Sequence, residues 1–320
     1  GTDIKVNQTY RGPLLKTIEQ IAESFKPWNP GTELTVGLFS SVVPEFDERA
    51  FREALVNAFG HRDYSLLGRV RVLVDDAGLT IANPGGFVEG INVHNLLTAE
   101  PRGRNPCLMD ALKRTGLAER TGRGIDRIFE GALNYGRPLP DYSRSNRRGV
   151  SVLLPRSVPD KAFVELLAEE RERSGKSMSL DGLLILDKLK SERRCGFDVL
   201  SGSLDMSDQR LRTVLGQLTE AGLVESAGVG ARRTYMLGAK VYRRSGRAME
   251  YVRQSDIDRV RYPELIIELM HEQKSVSKND VMELLHLEEN QAYYQLRKLV
   301  LEGRAKKVGS GRNVRYAAVR

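Results

Sequence analysis

Cysteine is nearly absent. Cys107 and Cys195 are the only two in 320 residues, far apart and without companions at metal-ligand or disulfide spacing. That excludes a disulfide framework and a cysteine zinc site, and it fits a reducing cytoplasm. Histidine is scarce too: His94, His271 and His286 have no ligating neighbours, so solvent or core roles are their default and no transition metal is expected. No apolar run approaches the ~20 residues of a membrane span. The start, Asp3 to Gln8, lacks the apolar core of a signal peptide, so no membrane partner is expected. Neither sign of charge is missing. The net charge of +8 is spread over both halves of the chain, so only local basic clusters can point to an anionic partner. What remains is an ordinary globular composition, 40% apolar and 29% charged, long enough for two or three domains.

The most informative stretch runs from Asp47 to Tyr64. Asp47 can cap a helix just after Pro44, and Phe51, Ala54, Leu55 and Ala58 recur at i, i+3, i+4 and i+7, so one apolar stripe faces a core. Glu53 and Asn57 lie four residues apart and project from one face beside that stripe. A carboxylate and an amide held together there call for an explanation.

Around this helix the patterning predicts a short strand over 3–12, a helix from Pro13 to Lys26, and a strand-like stretch from Thr35 to Val43. Strands follow at 69–74 and 79–82, the second running into Asn83-Pro84-Gly85-Gly86. Gly90 to Arg104 is polar and weakly patterned, longer than most structureless connections in compact domains. Helices are expected from about Asn105 to Thr115 and, after Gly122-Arg123-Gly124, to about Tyr135; a strand spans Gly149 to Leu154, and a charged helix spans 159–174. Helices alternating with antiparallel strands predict an α+β fold, a two-layer α/β sandwich over residues 1–157, with 158–177 as a connecting helix.

A helix bearing Glu-x-x-x-Asn, a strand pair ending in a glycine turn, a loop, and a glycine turn into a helix come in an order that resembles the Bergerat-fold (GHKL-type) ATPases, the superfamily of gyrase, histidine kinases and MutL. The wording "REALVNAFGHRDYS", "IANPGG", "RNP" and "GRGIDRI" is more closely similar to the ATPase-like domain of RecG-like or Schlafen AlbA-type bacterial transcriptional regulators. The resemblance covers roughly residues 10 to 155. It implies ATP and Mg²⁺ as ligands: Asn57 on the metal, Glu53 as the group that orients or deprotonates the attacking water, and Gly122, Arg123 and Gly124 against the phosphates. Asn83, with Gly85 and Gly86, falls at the adenine end. The family reads adenine there with an Asp, whereas Asn83 carries no charge, so the chain departs from the pattern at that point. The nucleotide lid of the family occupies the interval of Gly90 to Arg104. Two look-alike motifs carry nothing. His61-Arg62-Asp63 has no Asp-Phe-Gly after it, and Ser174-Gly175-Lys176-Ser177 lacks the earlier glycine and leading strand of a phosphate loop.

The last third repeats itself. Sliding by 81 residues without gaps sets Leu215, Leu218, Gly222, Gly228, Gly230 and Tyr235 on Leu296, Leu299, Gly303, Gly309, Gly311 and Tyr316. Two copies of one module therefore lie within 178–245 and 262–320, joined by a linker over 246–261. Three helices and a basic hairpin in each resemble the winged helix-turn-helix, which implies double-stranded DNA as partner. Leu211, Val214, Leu215 and Leu218 face inward on the third helix of the first copy, which leaves Arg210, Arg212 and Gln217 outward, with Arg232 and Arg233 on the hairpin. Tyr294, Arg297 and Lys298 are the counterparts in the second copy, with Arg312 and Arg315 around its wing. From Arg304 to Arg320 six residues are basic and none acidic.

Three functions remain open on this reading: a cytoplasmic DNA-binding regulator with a nucleotide-sensing domain, an Mg²⁺-dependent ATPase working on DNA, and a degenerate non-binding scaffold whose winged helices bind protein. The regulator is favoured, and a homodimer is compatible with it.

Overall fold

The structure is a computed structural model that describes residues 5–36, 39–118, 122–192, 194–228, 230, 233–244, 262–285, 287, 289–309 and 314–319. It is α+β, with several small antiparallel sheets, and it divides into two compact units. Unit 1 comprises residues 1–187 and 201–214, and unit 2 comprises 188–200 and 215–320.

In unit 1 helix α1 (Leu14–Phe25) leads into a hairpin of β1 (Gly31–Val36) and β2 (Phe39–Pro44). Two expectations are corrected here. Residues 5–12 form no strand, and the stretch read as one strand over 35–43 belongs to this hairpin, whose register runs from Gly31 opposite Pro44 to Val36 opposite Phe39. Period-two patterning alone does not reveal where a run folds back on itself.

Helix α2 (Glu48–Gly60) starts at Asp47, whose carboxylate accepts from the backbone N–H of Arg49 and Ala50, both at 2.9 Å. Ala50, Phe51, Ala54, Leu55 and Ala58 are all buried, and Phe51 stacks on Phe25 of α1 with ring centroids 4.0 Å apart. A three-stranded sheet follows in the order β3 (Arg71–Asp75), β4 (Gly78–Pro84), β5 (Gly149–Pro155). Its inner face is Leu79, Ile81, Val152 and Leu154, all buried, and β4 contacts α2. Between β4 and β5 come α3 (Pro106–Arg114) and α4 (Gly124–Leu133), and α5 (Lys161–Ser174) ends at Gly175 in the left-handed conformation, with φ +70°.

Helices α2 and α4 approach closely at a residue the sequence pattern does not single out. A Cβ on Gly131 would lie 2.7 Å from Ala50 Cβ and 2.9 Å from Asp47 Cβ, so glycine is what lets α4 lie against the first turn of α2.

The repeat is reproduced element by element. Helices α6 (Leu180–Glu192), α7 (Phe197–Leu204) and α8 (Asp208–Glu220) with strands β7 (Val224–Ala227) and β8 (Thr234–Leu237) have counterparts in the second copy; β6 (Arg194–Gly196) and α9 (Ala239–Arg244) are also present in the first. The counterparts are α10 (Tyr262–Gln273), α11 (Lys278–Leu285), α12 (Glu289–Leu301), β9 (Ala305–Val308) and β10 (Arg315–Ala318). In the first copy β6 pairs β8 and β8 pairs β7; in the second the strand at β6 is reduced to a bridge of Val276 with Tyr316, the shifted equivalent of Cys195 with Tyr235. Both third helices end in the same cap. Gly222 and Gly303 take φ +68° and +71°, Leu223 N–H donates to Leu218 O, and Arg304 N–H donates to Leu299 O. Ser277 and Asp280 form a capping box: Ser277 N–H donates to Asp280 Oδ2 at 2.7 Å, and Asp280 N–H donates to Ser277 Oγ at 3.2 Å.

The Gly131 contact predicts that Gly131→Val lowers stability by about 1–3 kcal/mol, the usual cost of overpacking a tight helix contact, in urea unfolding. An unchanged midpoint would mean that α2 and α4 do not meet there.

Candidate functional site

Glu53 and Asn57 stand on α2 where the pattern puts them: Glu53 is buried at 3% exposure despite its carboxylate, and Asn57 is half-buried. A Cβ on Gly124, the first residue of α4, would lie 3.0 Å from Glu53 Oε2, 3.6 Å from Asn57 Nδ2 and 3.8 Å from Asn57 Oδ1. The acid, the amide and the glycine turn thus meet at one point. Because Gly124 opens α4, Glu53 lies at the positive end of that helix, where the aligned peptide dipoles favour an anion. Burying a carboxylate in apolar surroundings is costly, and this placement offsets part of the cost.

The neighbouring residues of the turn behave differently. Gly122 has φ +78°, and a Cβ there would strike Pro101. Arg123 is exposed; it is the N-cap residue of α4, and its Nε donates to Asp126 Oδ2 at 3.2 Å rather than reaching toward α2. Residues 119–121, which precede the turn, lie outside the described residues.

Asn83 is buried at 6% exposure, on the same face of β4 as Leu79 and Ile81. Its Nδ2 donates to Pro84 O at 3.1 Å, which leaves Oδ1 as an acceptor. Gly85 and Gly86 do not open onto free space. At Gly85, with φ +92°, a Cβ would lie 2.6 Å from Asp63 Cβ, and at Gly86 it would lie 2.7 Å from Asn146 O. The Cβ-free room that the resemblance assigns to nucleotide is filled at these two positions by the protein's own chain. Asp63 organises this corner: its N–H donates to Pro84 O, its Oδ1 accepts from Ser65, and its Oδ2 lies 3.4 Å from Arg104 Nη1. Arg104 also donates to Gly86 O, and Asn105 donates to Gly60 O and Arg62 O. Arg104 and Asn105 thereby tie the end of the long 90–104 segment to the C-terminus of α2. Their place in the "RNP" motif is the one sequence signal that points to them. His61 carries the C-cap of α2; burial first, and the Arg104 guanidinium second, push its pKa below 6.5.

One carboxylate and one amide oxygen are a hard-oxygen donor set that suits Mg²⁺, which usually takes one or two protein ligands and completes its shell with water and substrate phosphates. Among the described residues no group of three or more His, Cys, Asp or Glu is gathered to hold a metal. An open cleft lies elsewhere, lined by residues 8–10 and by Glu19, Gln20, Glu23 and Ser24 of α1, and it shares no residue with the Glu53 cluster.

On α8 the inward residues Leu211, Val214, Leu215 and Leu218 are buried, and Arg212 and Gln217 are exposed as expected. Arg210 is exposed but occupied. Its Nε and Nη2 grip both oxygens of Asp181 on α6, at 2.6 Å for the Nη2 bond. Arg212 Nη2 lies 3.9 Å from Asp208. Tyr294, Arg297 and Lys298 are exposed on α12, and Lys298 lies 3.9 Å from Glu302. Arg315 donates to Ser275 Oγ, Ser275 O and Asp280 Oδ2, so it latches β10 to the start of α11. Arg233 is exposed, and Arg232 and Arg312 lie outside the described residues. No described helix is long and apolar enough to cross a membrane.

Comparison with known proteins bears on this geometry. Residues 68–154 match the family model described as "Putative ATP-dependent DNA helicase recG C-terminal", which supports a RecG-like, ATPase-like domain here and with it a nucleotide-related function. The matched span takes in Asn83, Gly85, Gly86, Gly122, Arg123 and Gly124, but it opens after α2 and so leaves out Glu53 and Asn57. The crystal structure of the DIP2311 protein from Corynebacterium diphtheriae aligns over 99% of this chain with a TM-score of 0.59 at 21% identity, a likeness of fold alone; this chain spans 57% of that one. The mRNA-binding domain of elongation factor SelB from E. coli, solved with SECIS RNA, aligns over 45% of this chain and 100% of its own at 15% identity, with a TM-score of 0.18 that carries no argument. No curated protein matches.

His61 supplies a pH test. The unfolded chain protonates His61 near pH 6.5 and the folded chain resists, so this residue's contribution is fully present above pH 6.5 and is lost as pH falls through its lower folded value. Stability of the wild type, followed by urea midpoints across that range, should fall more steeply than that of His61→Gln. Parallel curves would show that His61 is not desolvated.

Proposed function

We propose that the chain is a DNA-binding regulator in which a Bergerat-like, two-layer domain binds a nucleoside triphosphate with Mg²⁺ and two winged helix-turn-helix modules bind double-stranded DNA. The observation that carries the nucleotide half is the convergence of Glu53, Asn57 and Gly124. Asn57 would supply an oxygen to Mg²⁺, and Glu53 would hold or accept a proton from water at the phosphate end. The bare backbone at Gly124 would let the first amides of α4 approach an anion. When bound, Mg²⁺ neutralises the polyphosphate. Asn83 Oδ1 would accept from the adenine amino group.

The DNA half rests on the repeated order of three helices followed by a two-stranded hairpin and on the exposed residues of the third helices. In that topology the third helix enters the major groove and the hairpin meets the backbone. Arg212, Gln217, Tyr294, Arg297 and Lys298 are the exposed residues for that work. Arg210 and Arg315 are already engaged by Asp181 and by Asp280 with Ser275, and they act as braces.

A second reading has an observation of its own. The space at Gly85 and Gly86 is filled by residues 63 and 146–147, and the Glu53 carboxylate already lies at the start of α4, as in a degenerate scaffold that has kept the fold and lost the ligand.

The two readings part in a thermal shift. A ligand that binds only the folded state raises stability by about 2.7 kcal/mol at one hundred times its dissociation constant. ATP with Mg²⁺ should therefore raise the melting temperature of the wild type, and Asn57→Ala should lose the metal-dependent part. No shift at millimolar nucleotide supports the scaffold. For DNA, Arg212→Ala combined with Arg297→Ala should weaken binding and flatten the dependence of log affinity on log salt by about 0.9 for each phosphate that is no longer neutralised. An unchanged slope overturns the DNA half.

A further inference from the structure

Strand β3 is the open edge of the sheet in unit 1. The order is β3-β4-β5, so among the described residues β3 pairs with β4 on one side only, whereas β5 makes a further bridge from Leu153 to Asp141. None of its five residues is buried, and they alternate between exposed and half-buried, with Leu73 at the centre 53% exposed. Soluble proteins blunt such edges with proline, lysine, a bulge or a covering element. Arg71-Val72-Leu73-Val74-Asp75 contains no proline or lysine, carries its charges only at its two ends, and keeps an unbroken register with β4 over all five residues. Just upstream, Leu67 is fully exposed and Leu66 is 42% exposed, which extends the apolar surface beside the edge.

The five residues are also complementary to themselves. Laid antiparallel about Leu73, the strand sets Arg71 opposite Asp75, Val72 opposite Val74, and Leu73 opposite its own copy. Each of the two ends then carries an opposite-charge pair, and the middle is apolar. Arg71 bonds none of the described residues, so its guanidinium can take such a partner. Asp75 uses Oδ1 to accept from Ala77 N and Gly78 N in the hairpin turn, which leaves Oδ2 for the arginine. In an antiparallel edge strand only every second residue turns its N–H and C=O away from the partner strand; with Asp75 paired to Gly78 at the hairpin, the unpaired backbone on offer is that of Val72 and Val74.

We propose that β3 is a homodimerisation edge: it pairs antiparallel with the partner's β3 across a two-fold axis at Leu73 and joins two three-stranded sheets into one. The occupant is a second copy of this chain because the strand's charges are complementary to its own reversed sequence. A two-fold interface of this kind is isologous, each patch meeting the identical patch. Opposed residues stand about 4.5–5.5 Å apart at Cβ, while residues one place off register face opposite sides of the sheet.

That geometry sets the test, made on the full chain with Cys107→Ser to remove the exposed cysteine. Sedimentation velocity over a concentration series should show a reversible dimer that is lost in Leu73→Lys and in Arg71→Asp. Under mild oxidation Leu73→Cys should crosslink to itself and Val72→Cys alone should not. A mixture of Val72→Cys and Val74→Cys chains should crosslink as a heterodimer. Leu73 is exposed, so its lysine variant should keep the wild-type circular dichroism; if it does not fold, the cysteine series decides alone. A wild type that stays monomeric overturns the proposal, as does a dimer indifferent to Leu73 and Arg71 or crosslinks that ignore the register. None of these outcomes depends on nucleotide or DNA binding.

Discussion

The contact between α2 and α4 is what the candidate site depends on. Two glycines make it: Gly131 lets α4 lie against Asp47 and Ala50 at the start of α2, and Gly124 brings the N-terminus of α4 onto Glu53 and Asn57. Close-packed interiors transmit even one methyl group's worth of displacement, so the spacing at one glycine bears on the other. A buried carboxylate at the positive end of a helix is an arrangement of charge and dipole, and it can serve either as a rest position for Glu53 or as one wall of an anion site. The first amides of α4, beside Glu53, are the kind a phosphate would seek.

Around that contact the chain uses its polar side chains to fix loops. Asp63, Arg104 and Asn105 bind the end of the 90–104 segment to the last turn of α2, and Gly85 and Gly86 are there so that backbone can pass close to Asp63 and to residues 146–147. In the repeated modules the third helices end in identical glycine caps, and Cys195 and Val276, at equivalent positions, pair with equivalent tyrosines. Such correspondence at a constant offset means that local sequence determines each module's form. Their exposed faces differ, with Arg210, Arg212 and Gln217 on one and Tyr294, Arg297 and Lys298 on the other.

Much of this was legible in the sequence. Asp47 as a cap, the α2 stripe, the strands flanking Gly78, the capping box at Ser277 and the ungapped repeat all follow from period, cap chemistry and self-similarity, which are local signals. The β1–β2 hairpin was not legible, because period-two patterning runs through both of its strands and does not by itself mark where a run folds back. Gly131 was invisible because nothing along one helix says that another will cross it at that residue. Glu53, Asn57 and Gly124 lie together on α2 and the start of α4, while Gly85, Gly86, Arg210 and Arg315, also read as candidate binding residues, have partners within the chain. In each of those four cases a partner distant in sequence, Asp63, Asn146, Asp181 or Asp280, takes up the residue first.

The most direct measurement is a calorimetric titration of Mg·ATP into the wild type and into Gly124→Val, a substitution that sets a Cβ 3.0 Å from Glu53 Oε2 and 3.6 Å from the Asn57 amide nitrogen. Saturable binding to the wild type that disappears in the variant, while its fold persists, is the result expected if the start of α4 and the Glu53–Asn57 face form one site. Equal binding by both proteins, or heat from neither, would contradict it.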